Sequence, residues 1–148
     1  MLDFESLPLY WVNRLSAMSR RELGLRFKSA GHDVSPEEWA ILLLLWHEDS
    51  QNPGEMSART VRDPTTMTRL IDGMVRKGIV ERRVDTLDRR RSNICLTDMG
   101  RGLEPSLIGL AKPMIEAGMA GISKDDLETT VQVLAKMVAN MGTARKGN

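Results

Sequence analysis

Eight consecutive residues, WAILLLLW at positions 39–46, leave this chain little choice of architecture. Wound as a helix they are apolar on every side, so the helix has no face for water and other elements must surround it. The run is far shorter than the roughly 20 residues of a membrane span, and no other apolar run is longer. Its start is written just upstream. Ser35 is placed to be the N-cap, Pro36 takes the first helical position, and Glu38 three residues after the cap completes a capping box. The sequence therefore predicts a buried central helix, with the rest of a 148-residue chain packed around it as one domain.

The surroundings can be read from periodicity. Residues 6–30 predict a long helix capped by Ser6, with Pro8 in its first turn and Gly31 as its stop. Trp11, Leu15, Met18 and Leu25 form one apolar stripe along it. HEDSQNPG, after the central helix, reads as a loop. EMSARTVRDPTTMTRLIDGMVRKG then gives a short helix over 56–61 and a second one opened by Asp63 and Pro64. Met67, Leu70, Ile71, Met74 and Val75 make the buried face of that second helix. Thr65, Thr68, Arg69, Asp72 and Arg76 make its outer face, and Gly78 ends it. IVERRVD and SNICLT alternate with period two and predict a hairpin with its tip at about 86–92. Thr97 is placed to cap a further helix running towards 122, weakened or kinked by Gly100, Gly102, Pro105, Gly109, Pro113, Gly118 and Gly121. A last helix follows Ser123, with Asp126 at the capping-box position, and the tail TARKGN is expected to fray. Leu127, Val131, Leu134, Val138 and Met141 fall at 4, 3, 4, 3 spacing, a heptad seam that needs a partner helix. The predicted order is α-α-α-α-β-β-α-α, mainly α with a small β-hairpin (α+β).

Charge is unevenly spread along this order. Residues 59–91 hold ten arginines and lysines against five acids, a net +5, so the remainder carries −4 within a total of +1. A basic middle between acidic arms is an electrostatic footprint for a polyanion. It coincides with a short helix, a tight turn, a second helix bearing threonine and arginine on its outer face, and a basic hairpin. Together these make a helix-turn-helix with a wing. The second helix suits a major groove, where hydroxyls meet several base edges and arginine reads guanine bidentately. Its amino end also offers backbone amides to phosphate. The hairpin suits the adjacent minor groove, whose negative potential favours guanidinium. The candidate DNA contacts are Thr65, Thr66, Thr68, Arg69 and Arg76 on the helix, with Arg89, Arg90 and Arg91 on the wing. Asp85 and Asp88 are expected to pair with local arginines and fix the shape of the tip.

At these residues the chain resembles the MarR-type winged-helix transcription regulators. PTTMTRLIDGMVRKGIVERRVDTLDRRRSNICLTDMGR is similar to that family's block of Thr-Arg-Leu, Lys-Gly-hydrophobic-hydrophobic, Asp-x-x-Asp-Arg-Arg and Leu-Thr-x-x-Gly. The resemblance covers essentially all of residues 1–148, as one MarR-like domain. It implies a winged helix-turn-helix at about 35–97 and dimerisation helices at about 6–30 and 98–142. It further implies an obligate homodimer on a near-palindromic DNA operator, most often a repressor. Thr68 and Arg69 would be recognition-helix contacts, Arg90 the principal wing contact, and Asp88 its local partner. One stretch departs from the family pattern. Where Glu-Leu-Ala-x-x-Leu-Gly-Leu is usual, residues 55–62 read EMSARTVR, and Thr60, Val61 and Arg62 predict a looser or shifted turn. Pro105 and Pro113 depart from the family's usual unbroken long helix.

Other chemistry has less support. Trp11, Arg14, Leu15, Trp39 and Leu43 are candidates for a small-molecule effector pocket beneath the dimer helices, where an arginine beside apolar walls suits an aromatic carboxylate. The tryptophans and methionines also suit a core. Cys95 is the only cysteine, which excludes an internal disulfide and suits a reducing cytoplasm. A redox-responsive role for Cys95 is the alternative to a structural one, and a winged-helix module for protein contacts is the alternative to DNA binding. His32 and His47 lack a paired ligand spacing, so no metal or cofactor is expected. No nucleophile–base pair, phosphate loop or carboxylate dyad suggests an enzyme. MLDFESLPLY has no basic region before an apolar stretch, so a secretory leader is not expected and the chain reads as cytoplasmic.

Overall fold

The computed structural model describes residues 1–144; residues 145–148, within the tail expected to fray, lie outside the described residues. The chain divides into two compact units, Met1–Lys112 and Pro113–Asn148. The first holds helices α1 (Pro8–Ser29), α2 (Pro36–His47), α3 (Pro53–Thr60) and α4 (Pro64–Arg76). Strands β1 (Val80–Val84) and β2 (Ser92–Leu96) and helix α5 (Asp98–Gly102) follow. Helix α6 (Glu104–Met119) runs across the division, and α7 (Lys124–Ala144) belongs to the second unit.

Helix α2 is the centre of the first unit. Both halves of its capping box form: Ser35 Oγ accepts from the Glu38 amide at 3.1 Å, and Glu38 Oε2 accepts from the Ser35 amide at 2.9 Å. Ile41, Leu42 and Leu45 are buried among α1, α3, α4 and β2. Trp39 packs between Phe27, with ring centroids 5.4 Å apart, and Trp46 at 5.6 Å. Burial is not complete on every side, because Leu43 stays exposed among the described residues.

Several boundaries differ from the sequence expectation for local reasons. Ser6 sits in a 3-10 turn, Phe4–Ser6, and donates to the Asp3 carbonyl at 2.8 Å, so α1 begins after Leu7 without a side-chain cap. Helix α3 begins at Pro53, earlier than expected, since Asn52 Oδ1 accepts from the Gly54 amide at 2.9 Å. Asn-Pro here starts a helix within the stretch read as loop. The helix expected from Thr97 towards 122 is broken at Leu103 into α5 and α6. Pro105 has no amide with which to reach the Arg101 carbonyl, which removes a bond an unbroken helix would need. Pro113, by contrast, is carried inside α6.

The hairpin is antiparallel, with Val80 opposite Leu96 and Val84 opposite Ser92. On its other side β2 meets a single residue: the Gln51 amide donates to the Ile94 carbonyl at 3.0 Å, and the Ile94 amide to the Gln51 carbonyl at 2.8 Å. β2 is thus central and β1 is an edge. The base of the hairpin is a close joint. Thr97 Oγ1 donates to the Gly78 and Ile79 carbonyls and accepts from the Gly100 amide. Trp46 Nε1 donates to the Gly100 carbonyl at 3.0 Å. A Cβ at Gly100 would lie 2.2 Å from the Ile79 oxygen. Gly100 therefore lets α5 approach the backbone before β1.

In the second unit Ser123 Oγ accepts from the Asp126 amide at 3.1 Å, opening α7. Of the predicted seam, Leu127 and Leu134 are half-buried, whereas Val131, Val138 and Met141 are exposed. Among the described residues no helix is long and apolar enough to cross a membrane.

Candidate nucleic-acid interface

Helix α4 owes its placement to both ends. At its start Asp63 Oδ1 accepts from the Thr66 amide at 2.8 Å and Oδ2 from the Thr66 hydroxyl at 2.7 Å. These bonds, the hydroxyl first, hold the Asp63 carboxyl below its ordinary range. The amino end expected to offer amides to phosphate thus already carries a carboxylate, and Thr66 is turned into the cap. At the other end Lys77 Nζ donates to both oxygens of buried Glu38, at 3.0 and 2.9 Å, and to the Asp33 carbonyl at 3.0 Å. Burial alone would lower the Lys77 ammonium; the Glu38 bond and charge, then Asp33, raise it overall. One buried carboxylate therefore starts α2 and anchors the end of α4.

Between those ends, Met67, Ile71 and Met74 are buried. Pro64, Thr65, Thr68, Arg69, Asp72 and Arg76 line a shallow outer groove of about 450 Å³. The Thr68 hydroxyl donates to the Pro64 carbonyl at 2.9 Å, leaving its oxygen as an acceptor. Arg69 and Arg76 are exposed, and neither has an ion-pair partner among the described residues. Asp72 pairs with Arg82 of β1, which ties the hairpin to the helix and masks the groove's one carboxylate.

The turn between α3 and α4, with its unusual residues, is closed by a backbone hydrogen bond. Val61 lies in the left-handed region at φ 52°, ψ 43°, and the Arg62 amide donates to the Ser57 carbonyl at 3.0 Å. A β-branched residue in that region is strained. Arg62 is half-buried, and among the described residues its Nε and Ser57 Oγ are buried without hydrogen-bond partners.

At the wing tip, residues 85–91, the Asp85 amide donates to the Arg91 carbonyl at 2.9 Å and the Arg91 amide to the Asp88 carbonyl at 3.0 Å. Asp85 Oδ1 accepts from the amides of Leu87, at 2.8 Å, and Asp88, at 3.4 Å. The Leu87 amide is the main reason the Asp85 carboxyl lies below its ordinary range. Only one aspartate holds an arginine side chain as expected: Asp88 Oδ1 accepts from the Arg90 amide at 3.0 Å and from Arg90 Nε at 3.4 Å. Asp85 binds backbone instead, because its short side chain reaches amides two residues on. The Arg90 side chain is 93% exposed, Arg89 is exposed, and Arg91 lies 3.7 Å from Glu55 of α3.

The effector candidates do not gather in the single chain. Trp39 is in the core, whereas Trp11, Arg14 and Leu15 lie on the exposed side of α1. Trp11 Nε1 donates to the Glu5 carbonyl at 2.8 Å, and Arg14 sits 5.8 Å from the Tyr10 ring centre. Cys95 is buried in β2, where an oxidant has poor access. The Glu38–Lys77 and Asp72–Arg82 pairs escaped sequence reasoning, since no local pattern links residues 39 or ten positions apart in different elements.

A helix-turn-helix whose second helix presents free arginines, followed by an arginine-tipped two-stranded hairpin, defines a winged helix-turn-helix protein. The MarR family model matches residues 34–92, the whole of that region up to the start of β2. The chain is 33% identical to the HTH-type transcriptional regulator TtmR of Methylorubrum extorquens over 73% of its length, although the match spans only 54% of TtmR. It is 33% identical to the HTH-type transcriptional repressor YetL of Bacillus subtilis, over 73% of this chain and 66% of YetL. The fold matches the crystal structure of CouR from Rhodococcus jostii bound to p-coumaroyl-CoA, with a TM-score of 0.81 at 19% identity, over 93% of this chain and 95% of that one. The chain belongs to the MarR family.

Proposed function

We propose that this chain is a sequence-specific, DNA-binding transcription regulator that acts in the cytoplasm as a homodimeric repressor on a near-palindromic operator. The observation that carries this reading is the set of exposed guanidinium groups on two joined elements: Arg69 and Arg76 on α4, with no ion-pair partner among the described residues, and on the wing Arg89 and Arg90, the latter held by Asp88 yet 93% exposed. The Asp72–Arg82 pair joins those two elements. Arg69, with Thr65 and Thr68, reads base edges in the major groove; Arg90 enters the minor groove, and Arg91 supports it near the phosphates. Asp88 fixes Arg90 and does not itself meet DNA.

Dimerisation is supported by apolar side chains that one chain leaves in water. Trp11, Leu15, Met18 and Leu25 are all exposed on α1, as are Val131, Val138 and Met141 on α7. Such exposure on each helix supports burial in an assembly. Replacing half-buried Leu134 with Asp would place a charge in the seam. Sedimentation should then show loss of the dimer, together with loss of DNA binding; a normal dimer would refute the seam.

The effector is read as an aromatic carboxylate or its thioester, in a site completed by dimerisation near Trp11, Arg14, Leu15 and Leu43. CouR, of the same fold, is bound to such a thioester. Saturable quenching of tryptophan fluorescence and release of DNA would support it, and a broad screen changing neither would refute it.

The deciding experiment is a pair of titrations, selected operator and scrambled duplex, over a salt series. Arg69→Ala should relax preference at one position in each half-site, the two half-sites lying roughly 10–11 bp apart, at about 1–3 kcal/mol per bidentate contact. Arg90→Ala should weaken all duplexes more evenly and flatten the salt dependence. Wild-type behaviour in both would overturn the assignment.

A further inference from the structure

The wing carries a residue that the arginine reading does not use. Leu87 stands at the tip between Thr86 and Asp88 and is 96% exposed, so nothing among the described residues shelters it. Its backbone is nevertheless fixed, because its amide donates to Asp85 Oδ1 at 2.8 Å. The loop around it is closed by the Asp85 amide to Arg91 carbonyl and Arg91 amide to Asp88 carbonyl bonds. A leucine on a floppy loop could fold back against the hairpin; this one is held outward. Arg89 and Arg90 stand beside it, both exposed. Whatever anionic surface those guanidinium groups approach, the leucine meets as well.

We propose that Leu87 is a specificity-determining contact of the wing, an apolar wedge that enters the minor groove of the duplex alongside Arg90. This rests on the DNA-binding reading above. A minor groove offers deoxyribose walls and the edges of stacked base steps, and aliphatic side chains inserted there unstack a step and bend the duplex. Pyrimidine–purine steps yield most readily, so the wedge favours them without any hydrogen bond to a base. Leu87 and Arg90 divide the work: the guanidinium draws the tip to the groove, and the leucine makes the fit depend on how easily that step deforms. Loss of Leu87 removes no charge, so it leaves counterion release untouched. That separates it from the neighbouring arginines.

The test uses the full-length chain. A duplex selected by the wild type from a random-sequence library, and a scrambled duplex of equal length, are titrated with wild type, Leu87→Ala, Leu87→Lys and Arg90→Ala over a salt series. Thermal melts confirm that the exposed substitutions leave the fold intact. Leu87→Ala should bind the selected duplex roughly three- to tenfold more weakly, the scale expected for burying part of one leucine. Its salt slope should be that of the wild type, and repeated selection should lose the preference for a deformable step at the wing position. Leu87→Lys should also lose affinity for the selected duplex despite its added charge. Equal affinity for Leu87→Ala and wild type at every salt, or tighter binding of both duplexes by Leu87→Lys, would overturn the wedge and leave the DNA reading standing. A wild type that selects no sequence at all would overturn that reading, and the wedge with it.

Discussion

Replacing Val61 with glycine should make this protein more stable, against the usual direction of such a change in a folded chain. Val61 ends α3 at φ 52°, ψ 43°, with its side chain 77% exposed. There is little packing to lose. The left-handed conformation costs an L-residue about 1–2 kcal/mol, and a β-branched side chain belongs at the upper end. Glycine removes that strain but adds about 0.5–1 kcal/mol of chain entropy in the unfolded state. The net gain is about 0.5–1 kcal/mol per chain. For a protein of this size each kcal/mol moves the midpoint by about 3 °C, so Tm should rise by roughly 1–4 °C. The assay is helix circular dichroism against temperature and urea at one fixed protein concentration, since the stability of the proposed dimer would depend on concentration. The urea slope should not change, because the surface exposed on unfolding is the same. Val61→Ala, which keeps a Cβ in the left-handed region, should fall between the two. A Val61→Gly protein that melts below the wild type would refute the reasoning and show that the valine side chain contributes more than its exposure indicates.

Gly100→Ala should be severe: its Cβ would meet the Ile79 carbonyl oxygen at 2.2 Å, and relief requires moving α5 off the hairpin. A loss of about 2–4 kcal/mol by urea denaturation is expected, and a loss under 0.5 would show that the joint is soft. Lys77→Met should cost roughly 2–4 kcal/mol by leaving Glu38 charged and buried without its partner. The double change Glu38→Gln with Lys77→Met should recover much of that loss in a double-mutant cycle, and an additive result would argue against the pair. Asp63 and Asp85 both have carboxyls held below their ordinary range, so their contributions are present above a pH of about 3.9 and fade as pH falls through the lower folded values. Asp63→Asn keeps a capping oxygen but should flatten that acid limb of stability; an unchanged limb would remove Asp63 from its cause.

What could be read in advance was what local chemistry dictates. Ser35, Pro36 and Glu38 lie within four positions, and their capping box forms in full. The Asp63–Pro64 start and the period of Met67, Ile71 and Met74 are equally local, and each is present; the hairpin also forms, but its burial does not alternate, since Val84 is exposed and Ile94, Cys95 and Leu96 are all buried. Misreadings arose where a residue had two local meanings. Asn52-Pro53 is a turn signal and also a helix start, and Gly100 looks like a weak helix position until the Ile79 oxygen is seen beside it. Asp85 beside arginines suggested ion pairs, but its nearest donors are backbone amides of its own loop. Long-range partners were beyond reach. Nothing near Gln51 announces that its backbone will pair with Ile94, and Glu38 shows its capping role but not that Lys77 shares the carboxylate. The outer residues of α4 and the wing were legible as exposed positions because a surface with no packing duty is free to carry charge.

Among the described residues β1 is bonded to β2 on one side only, and its other edge is a row of backbone donors and acceptors that no described strand pairs. Such an edge invites a second copy to add a strand. Here three of the five residues, Glu81, Arg82 and Arg83, are charged, and Arg82 is already held by Asp72. A neighbouring hairpin laid alongside would strip water from these charges, which opposes sheet extension. In the proposed DNA complex, two wings side by side would therefore resist zipping into a continuous sheet, and each hairpin would remain a separate finger.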